Sequence, residues 1–576
     1  MLWSLVSILP LLSLAAAKDI QPTEECPLLG PTYSSDFDLT ETNAFSEAKK
    51  DFPGVVKKIF EDEIVDPKVS SFTIDVFSTF TNKSIYSYSH QATEPSLNES
   101  FPEGGIGDKT IIRVGSVSKL FTVYAILAQA GGLEVFDHSV TKYLPELAQY
   151  PPKEKDNTLE SFAWENITIG ALATHQAGTG QFANPSIACF TPEKDNCSTS
   201  EFLREMLEEK VPSQPVFQSP LYSDGGFGVL GRVLEKMTGK NYNDAIQIVL
   251  SKPLGLKDTG SIIPKGDDVD AIIIPGGPPT SAWGFDNQLT APSGGIYSNH
   301  ADLRTLGLSI LQSKLLTPSE TRAWMKPRGH TSSLVTTIGA PWEINRLTLP
   351  VAPGSKHYRV SDLYTKGGGQ PGYTAIFALS PDHGIGFSVL VAGPTAGGDR
   401  WPIRAAVGET FVAAAEHAAK ENAAKKFSGV FGDGKSNMTL TVEKDHVGLG
   451  MENWYVDGVE WRANITQPAL SLPKGKDLIV RLYPTGLETT EDDGSTIRQY
   501  RAVPEITPLN PRPAIEGGKG LFDDRCITWF STAFYDLETG IIDEFHLKVR
   551  NGELVAVISK AAEKVMKRKN GGKTGA

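Results

Sequence analysis

Basic residues and cysteines are scarce in this 576-residue chain. Lys and Arg number 55 against 68 Asp and Glu, which gives a formal net charge of −13. This acidic balance argues against nucleic acid as a partner, because phosphate backbones are bound by concentrated Lys and Arg. The one basic cluster, 564–569, lies near the C-terminus, and we expect a flexible basic tail over 561–576. The length exceeds what a single core supports, so two or more domains are expected.

Signatures of several enzyme classes are also missing. The ten histidines show no pairing with metal-site spacing, so no metal is expected. No G-x-S-x-G elbow occurs, which argues against an α/β-hydrolase. Residues 429–436 match the phosphate-loop pattern, but a helix precedes them and a strand follows. Residues 226–231 match the dinucleotide pattern and open a helix, but no buried strand precedes them. We therefore expect no cofactor.

Long apolar runs are absent after residue 17. Residues 1–17 are apolar and end in Ala15, Ala16 and Ala17, the small-residue pattern of a signal peptidase site. The stretch carries no Lys or Arg and is shorter than a usual membrane span. We predict a signal peptide cleaved near Ala17, a secreted mature chain without a membrane span, and an extended leader over 18–42.

The four cysteines fit an oxidising compartment. Three pairings are possible. We favour Cys189–Cys197, which closes a small loop, and Cys26–Cys526, which ties the N-terminus to the far end of the chain. A signal peptide also makes glycans expected on the six Asn-x-Ser/Thr sites, which are Asn82, Asn98, Asn166, Asn196, Asn437 and Asn464.

The stretch 111–133 carries the strongest chemical signal. A short apolar run leads into Gly115-Ser-Val-Ser-Lys119, and a helix-like run over 120–130 ends at two glycines. Ser116 and Lys119 are three residues apart and would share one helix face. Burial lowers the pKa of an amine, so a buried Lys119 can take the Ser116 proton and create a nucleophile.

Two further motifs follow in order. Tyr222-Ser-Asp224 precedes a helical pattern, and Lys366-Gly-Gly-Gly369 precedes β-rich runs at 375–380 and 385–392. Before the nucleophile, residues 43–64 predict a helix interrupted at Pro53, and 71–80 with 85–90 predict a hairpin. The ordered set resembles the serine β-lactamase and penicillin-binding protein superfamily over about residues 45–415. The class C β-lactamase, D,D-peptidase and esterase branch is the nearest, since no E-x-x-x-N loop lies between the second and third motifs.

The resemblance implies an α+β fold for a hydrolase domain over 43–420, in which helices and a helical subdomain flank an antiparallel sheet. After residue 426 the pattern changes to β-rich runs separated by turn signals such as Asn551-Gly552. These runs predict a smaller antiparallel β-barrel or sandwich over 427–560; they are 438–442, 478–483, 497–503, 527–535, 545–549 and 554–559.

The resemblance also implies acyl transfer through a covalent ester on Ser116. Lys119 would assist deprotonation of Ser116, as the base or by its field, and Tyr222 would act as base and then as acid. Lys366 would favour the Tyr222 anion and could bind a substrate carboxylate. His175, in a family-like segment before the second motif, is expected to be structural.

The glycines of the third motif have a further implied role. The amides of Ser116 and Gly369 would form the oxyanion hole. Gly367, Gly368 and Gly369 lack side chains, so a substrate can approach the strand backbone closely.

Asp224 stands where the family usually has Asn, whose amide donates a hydrogen bond to a substrate acylamide. An ionised Asp cannot donate, and it could instead pair with Lys119 or Lys366. Ser223 also permits a second frame, similar to S-D-N, but Tyr222 is preferred because no class A loop accompanies it. We predict a serine hydrolase acting on small-molecule esters or lactones. An acyltransferase, a D-amino-acid peptidase acting on peptides and a catalytically silent binding relative remain alternatives.

Overall fold

A computed structural model describes residues 26–148, 159–180, 198–208, 211–266, 269–277, 280–465, 477–507 and 535–569, with 526, 528–530, 532 and 533. The predicted signal peptide, the Cys189–Cys197 bridge and the Asn196 site lie outside these residues. None of the helices in this part of the chain has the length and apolar character needed to span a bilayer.

One antiparallel sheet organises the first domain. Its strand order is β2-β1-β10-β9-β8-β7-β6-β5. The strands of this domain, with a separate two-stranded pair β3–β4, are β1 (Ser71–Ser78), β2 (Lys83–His90), β3 (Ile112–Arg113), β4 (Tyr297–Ser298), β5 (Gly329–His330), β6 (Thr336–Ile338), β7 (Glu343–Pro350), β8 (Tyr358–Gln370), β9 (Tyr373–Ser380) and β10 (Ile385–Ala392). The predicted hairpin is confirmed as β1 and β2, which pair antiparallel.

Helices cover both faces of this sheet. Alternate residues of β9 therefore enter different cores: Phe377 packs into the core around the nucleophile helix, and Ile376 into the core shared with the second domain. The α-helices are α1 (Asn43–Glu61), α2 (Ser118–Ala130), α3 (Ile169–Ala173), α4 (Thr199–Glu208), α5 (Asp224–Thr238), α6 (Tyr242–Ile246), α7 (Lys252–Leu254), α8 (Ala291–Gly294), α9 (His300–Leu311), α10 (Pro318–Trp324), α11 (Ala396–Val407) and α12 (Ala413–Lys426).

The predicted helix break at Pro53 is wrong, because α1 continues through this residue. Phe45, Phe52 and Val56 bury one face of α1 and hold it against the domain. Pro53 itself is exposed, so water can satisfy the carbonyl that its missing N–H leaves unbonded.

The second domain is an eight-stranded antiparallel barrel. Its strands follow the order β12-β11-β21-β20-β19-β16-β15-β13, and β12 also pairs with β13, which closes the ring; β14 extends from β13. The strands are β11 (Gly429–Gly432), β12 (Asn437–Thr441), β13 (Leu449–Val456), β14 (Val459–Glu460), β15 (Asp477–Thr490), β16 (Thr496–Thr507), β17 (Asp536–Leu537), β18 (Gly540–Ile541), β19 (Glu544–Arg550), β20 (Glu553–Ser559) and β21 (Lys564–Arg568). Of the predicted runs, 527–535 forms no strand in its described residues.

The prediction of a flexible basic tail is wrong for residues 564–568. They form β21, which lies between β11 and β20. Met566 is fully buried, while the Arg568 guanidinium bonds the carbonyls of Leu554, Ser428 and Lys426. The basic side chains lie outside the barrel core. Because most residues of this segment are charged, its composition suggests a solvated tail rather than a strand.

The leader is joined to the barrel. A disulfide links Cys26 to Cys526 across 500 residues of sequence, which confirms that predicted pairing. The Cys26 amide also donates to the Glu505 carboxylate at 3.0 Å. Tyr33 and Phe37 are buried, so this part of the leader packs against the protein body.

Candidate active site

Ser116 lies in a single turn of 3-10 helix, Gly115–Val117, directly before α2. Gly115 has a φ of 53° there, and a Cβ atom on it would lie 2.3 Å from the Gly369 amide nitrogen. The Ser118 hydroxyl fixes the turn by donating to the Gly115 carbonyl at 2.6 Å and accepting from the Ile296 amide at 3.0 Å. Only a glycine fits before the nucleophile, and Ser116 itself remains partly exposed.

The Lys119 ammonium bonds three acceptors. Its Nζ lies 3.1 Å from Ser116 Oγ, 2.5 Å from Asp224 Oδ1 and 2.7 Å from the Ser293 carbonyl. These contacts use all three hydrogens of an ammonium group, and the side chain is fully buried. The contacts hold the Lys119 amine beside the hydroxyl of Ser116.

Tyr222 lies immediately before α5, whose N-terminus is capped by the Ser223 hydroxyl. Its ring stacks on His175, with centroids 4.4 Å apart. The Nζ atoms of Lys119 and Lys366 lie 4.7 and 5.2 Å from the ring centroid. Burial opposes ionisation of Tyr222, but the charges of Lys366 and Lys119 outweigh it and lower the pKa of the phenol below its ordinary value of 10.0.

His175 is structural in geometry, as expected. It is buried, and its Nδ1 accepts the Ser223 amide at 3.1 Å. Burial, with the charges of Lys119 and Lys366, holds the pKa of His175 well below its usual 6.5. A neutral imidazole thus supports the backbone that presents Tyr222.

Lys366 projects from β8 and contacts a carboxylate that the sequence did not reveal. Its Nζ donates to Glu343 Oε1 at 2.6 Å and to the Gly367 carbonyl at 2.9 Å. Glu343 Oε2 accepts the Gly367 amide at 2.9 Å. Burial lowers the pKa of Lys366, but Glu343 and then Tyr222 more than compensate, and the pKa is raised above its ordinary value.

The glycine run of β8 passes directly over the nucleophile turn. A Cβ on Gly368 would lie 2.0 Å from the Val114 carbonyl and 2.7 Å from the Ser116 amide nitrogen. Arg400 Nη1 donates to the Gly368 carbonyl at 2.6 Å. The structure thus brings the backbones of Ser116 and Gly369, the two predicted oxyanion donors, into one place.

The structure therefore gathers every predicted catalytic and substrate residue into one site. Sequence reasoning missed the Ser293 carbonyl, Glu343 and Arg400. Glu343 is a lone acidic residue in a β-rich run, and no motif distinguishes it. Arg400 and the Ser293 carbonyl reach the site only through the packing of α11 and α8.

Comparison with known proteins agrees with this geometry. Residues 87–409 match the family described as Beta-lactamase, and residues 419–570 match the family described as Beta-lactamase-like-like, C-terminal domain. The first match spans more than half of the chain, so the protein belongs to the beta-lactamase family.

Relatives include a beta-lactamase-like protein of Arthroderma benhamiae, 28% identical over 457 residues, which covers 72% of this chain and 73% of the relative. A probable hydrolase, M10, of a Phoma species is 26% identical over 543 residues, which covers 87% of this chain and 84% of the relative. Among solved structures, a class C beta lactamase from Rhodobacter sphaeroides aligns at 21% identity with a TM-score of 0.44, over 64% of this chain and 99% of that one.

Proposed function

We propose that this protein is a secreted serine hydrolase that forms an acyl-enzyme on Ser116, with esters or lactones as substrates. One observation carries the proposal. The Ser116 hydroxyl contacts Lys119, and the ammonium groups of Lys119 and Lys366 lie 4.7 and 5.2 Å from the centroid of the Tyr222 ring. A nucleophile, a base with a lowered pKa and two cations that stabilise that base are therefore assembled in one cleft.

The proposed acylation assigns one role to each of these groups. The Tyr222 phenolate takes the Ser116 hydroxyl proton while Oγ bonds to the substrate carbonyl carbon. The carbonyl electrons move to the oxygen, where the amides of Ser116 and Gly369 stabilise the oxyanion. Collapse of this intermediate expels the alkoxide, which takes the proton from Tyr222. Water then attacks the acyl carbonyl carbon and gives a proton to Tyr222. The bond from that carbon to Ser116 Oγ breaks, Oγ takes the proton from Tyr222, and the acid is released.

Asp224 supports esters over amides as substrates. Its carboxylate accepts from Lys119 and offers no N–H to a substrate acylamide. A β-lactam or peptide would thus leave its acylamide carbonyl without that donor, whereas a simple ester or lactone carries no such group. Leu221 precedes Tyr222, and Trp401 lies within 3.8 Å of the position of a Cβ on Gly367. Both side chains are apolar and about two-fifths exposed, which suits an uncharged substrate.

Secretion is proposed on separate grounds. Residues 1–17 have a signal-peptide pattern, and the Cys26–Cys526 disulfide fits an oxidising compartment. Asn82, Asn98, Asn166 and Asn464 are exposed and Asn437 is half-exposed, as glycan acceptors must be. Secretion of the full chain from a eukaryotic host, with a mass shift on deglycosylation, is the expected result.

Intact mass after treatment with a fluorophosphonate tests the catalytic proposal. We expect one adduct on the wild type and none on Ser116→Ala. Screening of esters, lactones, penicillins and D-peptides would then rank the substrate classes. A wild type that resists labelling and hydrolyses no ester would overturn the proposal and favour a silent binding relative.

A further inference from the structure

The Glu343 carboxylate is bound in the cleft as a ligand would be. Its Oε1 accepts from Lys366 Nζ at 2.6 Å, and its Oε2 accepts from the Gly367 amide at 2.9 Å. An ammonium and a backbone N–H that converge on two oxygens form the kind of site that binds a carboxylate. Here the protein supplies that carboxylate itself.

The sheet holds Glu343 firmly in this position. In the β7–β8 register Glu343 lies opposite Thr365, one residue before Lys366. The Glu343 carbonyl accepts from Thr365 Oγ1 at 2.6 Å and from Asn345 Nδ2 at 3.3 Å. Its side chain is one-third exposed, so it reaches from the sheet into the solvent-facing cleft.

Lys366 has no hydrogen left for a second anion. Beyond Glu343, its ammonium donates to the Gly367 carbonyl at 2.9 Å and hydrogen-bonds Tyr222. A substrate carboxylate at this place would have to displace Glu343 and would meet its negative charge.

Two neighbouring arginines, Arg400 and Arg404, make other contacts. Arg400 Nη1 donates to the Gly368 carbonyl at 2.6 Å, and its guanidinium lies 4.4 Å from the Trp401 ring centroid. Arg404 lies 4.9 Å from the same centroid. The Glu343 charge also acts on both arginines and offsets part of their field.

We propose that Glu343 is a specificity-determining residue that fills the carboxylate position beside Lys366, so that the substrates are esters or lactones without a carboxylate next to the scissile bond. This inference rests on the proposed function and narrows it. It also argues against the D-peptide carboxypeptidase alternative, in which Lys366 would hold a terminal carboxylate.

The test compares two aryl esters that share the same acyl group and differ in the leaving group. One leaving group is 3-hydroxybenzoate, which carries a carboxylate, and the other is methyl 3-hydroxybenzoate, which carries none. Their kcat/KM ratio is measured for the wild type, Glu343→Gln and Glu409→Gln. Glu409 is an exposed carboxylate on the turn after α11, and its variant loses the same charge. A ratio within one variant is independent of how much of it folds.

We expect the wild type to prefer the methyl ester. Glu343→Gln should shift the ratio toward the carboxylate ester by about tenfold or more, as one charge-assisted hydrogen bond would. Glu409→Gln should keep the wild-type ratio. An unchanged ratio in Glu343→Gln, or a wild type that prefers the carboxylate ester, would overturn the inference.

A binding measurement keeps the inference separate from the proposed function. Arylboronic acids bond reversibly to a nucleophilic serine without turnover. The Kd of 3-carboxyphenylboronic acid, relative to that of its methyl ester, should fall about tenfold in Glu343→Gln. If neither ester is hydrolysed, the proposed function fails for this class, and the boronates still decide the role of Glu343. If 3-carboxyphenylboronic acid, relative to its methyl ester, binds Glu343→Gln no better than the wild type, the inference about Glu343 is overturned.

Discussion

Lys119 and Asp224 form a 2.5 Å ion pair beside the Ser116 hydroxyl. Asp224 occupies the position where the family usually has an amide, and its charge balances the lysine that lies next to the nucleophile. In the proposed mechanism this pairing leaves Tyr222 to accept the serine proton. It also removes a hydrogen-bond donor from the substrate face of the cleft.

Substitution Asp224→Asn should restore that donor. The Asn oxygen can still accept from Lys119, and its amide can donate to a substrate acylamide. We expect penicillin acylation of Ser116, measured by intact mass and by kcat/KM, to rise about tenfold relative to hydrolysis of a simple ester. Asp224→Ala, which supplies no donor, is the control. An unchanged or lower penicillin rate in Asp224→Asn would contradict the role given to Asp224.

Substitution Tyr222→Phe should remove the base and keep the ring. The stacking on His175 persists, so thermal stability should change little. We expect kcat for ester hydrolysis to fall by about 10²- to 10⁴-fold, the usual contribution of general acid–base catalysis. If the variant kept more than a tenth of the wild-type rate, Lys119 rather than Tyr222 would be the base.

The rising limb of the profile of kcat/KM against pH should reflect the ionisation of Tyr222. The pKa of Tyr222 is lowered from 10.0, so kcat/KM should increase with pH through a midpoint below 10 as the phenolate forms. The pKa of Lys366 is raised from 10.5, so its charge is lost, and activity declines, only at pH above 10.5. Initial rates across pH 6 to about 11, corrected for ester hydrolysis in buffer, would show the rising limb and the start of the decline.

Glu343→Gln supplies the control for that profile. Without the Glu343 charge the pKa of Lys366 should fall, so the declining limb should move to lower pH. A declining limb that stays in place would mean that another group produces it.

Local spacing explains why the nucleophile was predictable. Ser116 and Lys119 are three residues apart on a 3-10 turn that continues into α2, so their contact depends on local helical geometry. Tyr222 and Lys366 required the ordered resemblance to a known family, since they lie 144 residues apart on α5's N-terminal side and on β8, and only the tertiary fold brings them together. The Asn551-Gly552 turn was equally local, and both residues have the positive φ values of a tight hairpin turn.

Glu343 could not be found in this way. It reaches Lys366 only because β7 and β8 pair in a register that places it opposite Thr365. A shift of that register by one residue would move its carboxylate away from the Gly367 amide, from which it accepts a hydrogen bond. The missed strand β21 has a related cause, since its single buried residue, Met566, gives no alternating apolar pattern. In both cases the structure depends on pairing between strands that are distant in sequence, which the local sequence pattern does not indicate.

Substitution Gly368→Ala tests how closely β8 approaches the nucleophile turn. The added Cβ would lie 2.0 Å from the Val114 carbonyl and 2.7 Å from the Ser116 amide nitrogen, both backbone atoms that cannot turn away. The turn must shift, which should cost about 1–3 kcal/mol of stability and misplace the oxyanion donors. Gly397→Ala is the matched control, because its Cβ would meet nothing within 4 Å and it lies in α11. The unfolding temperature and the rate of fluorophosphonate labelling should both fall in Gly368→Ala and stay unchanged in Gly397→Ala. If Gly368→Ala behaved like Gly397→Ala, the close approach of β8 to the nucleophile turn would be refuted, and with it the basis of the proposed oxyanion hole.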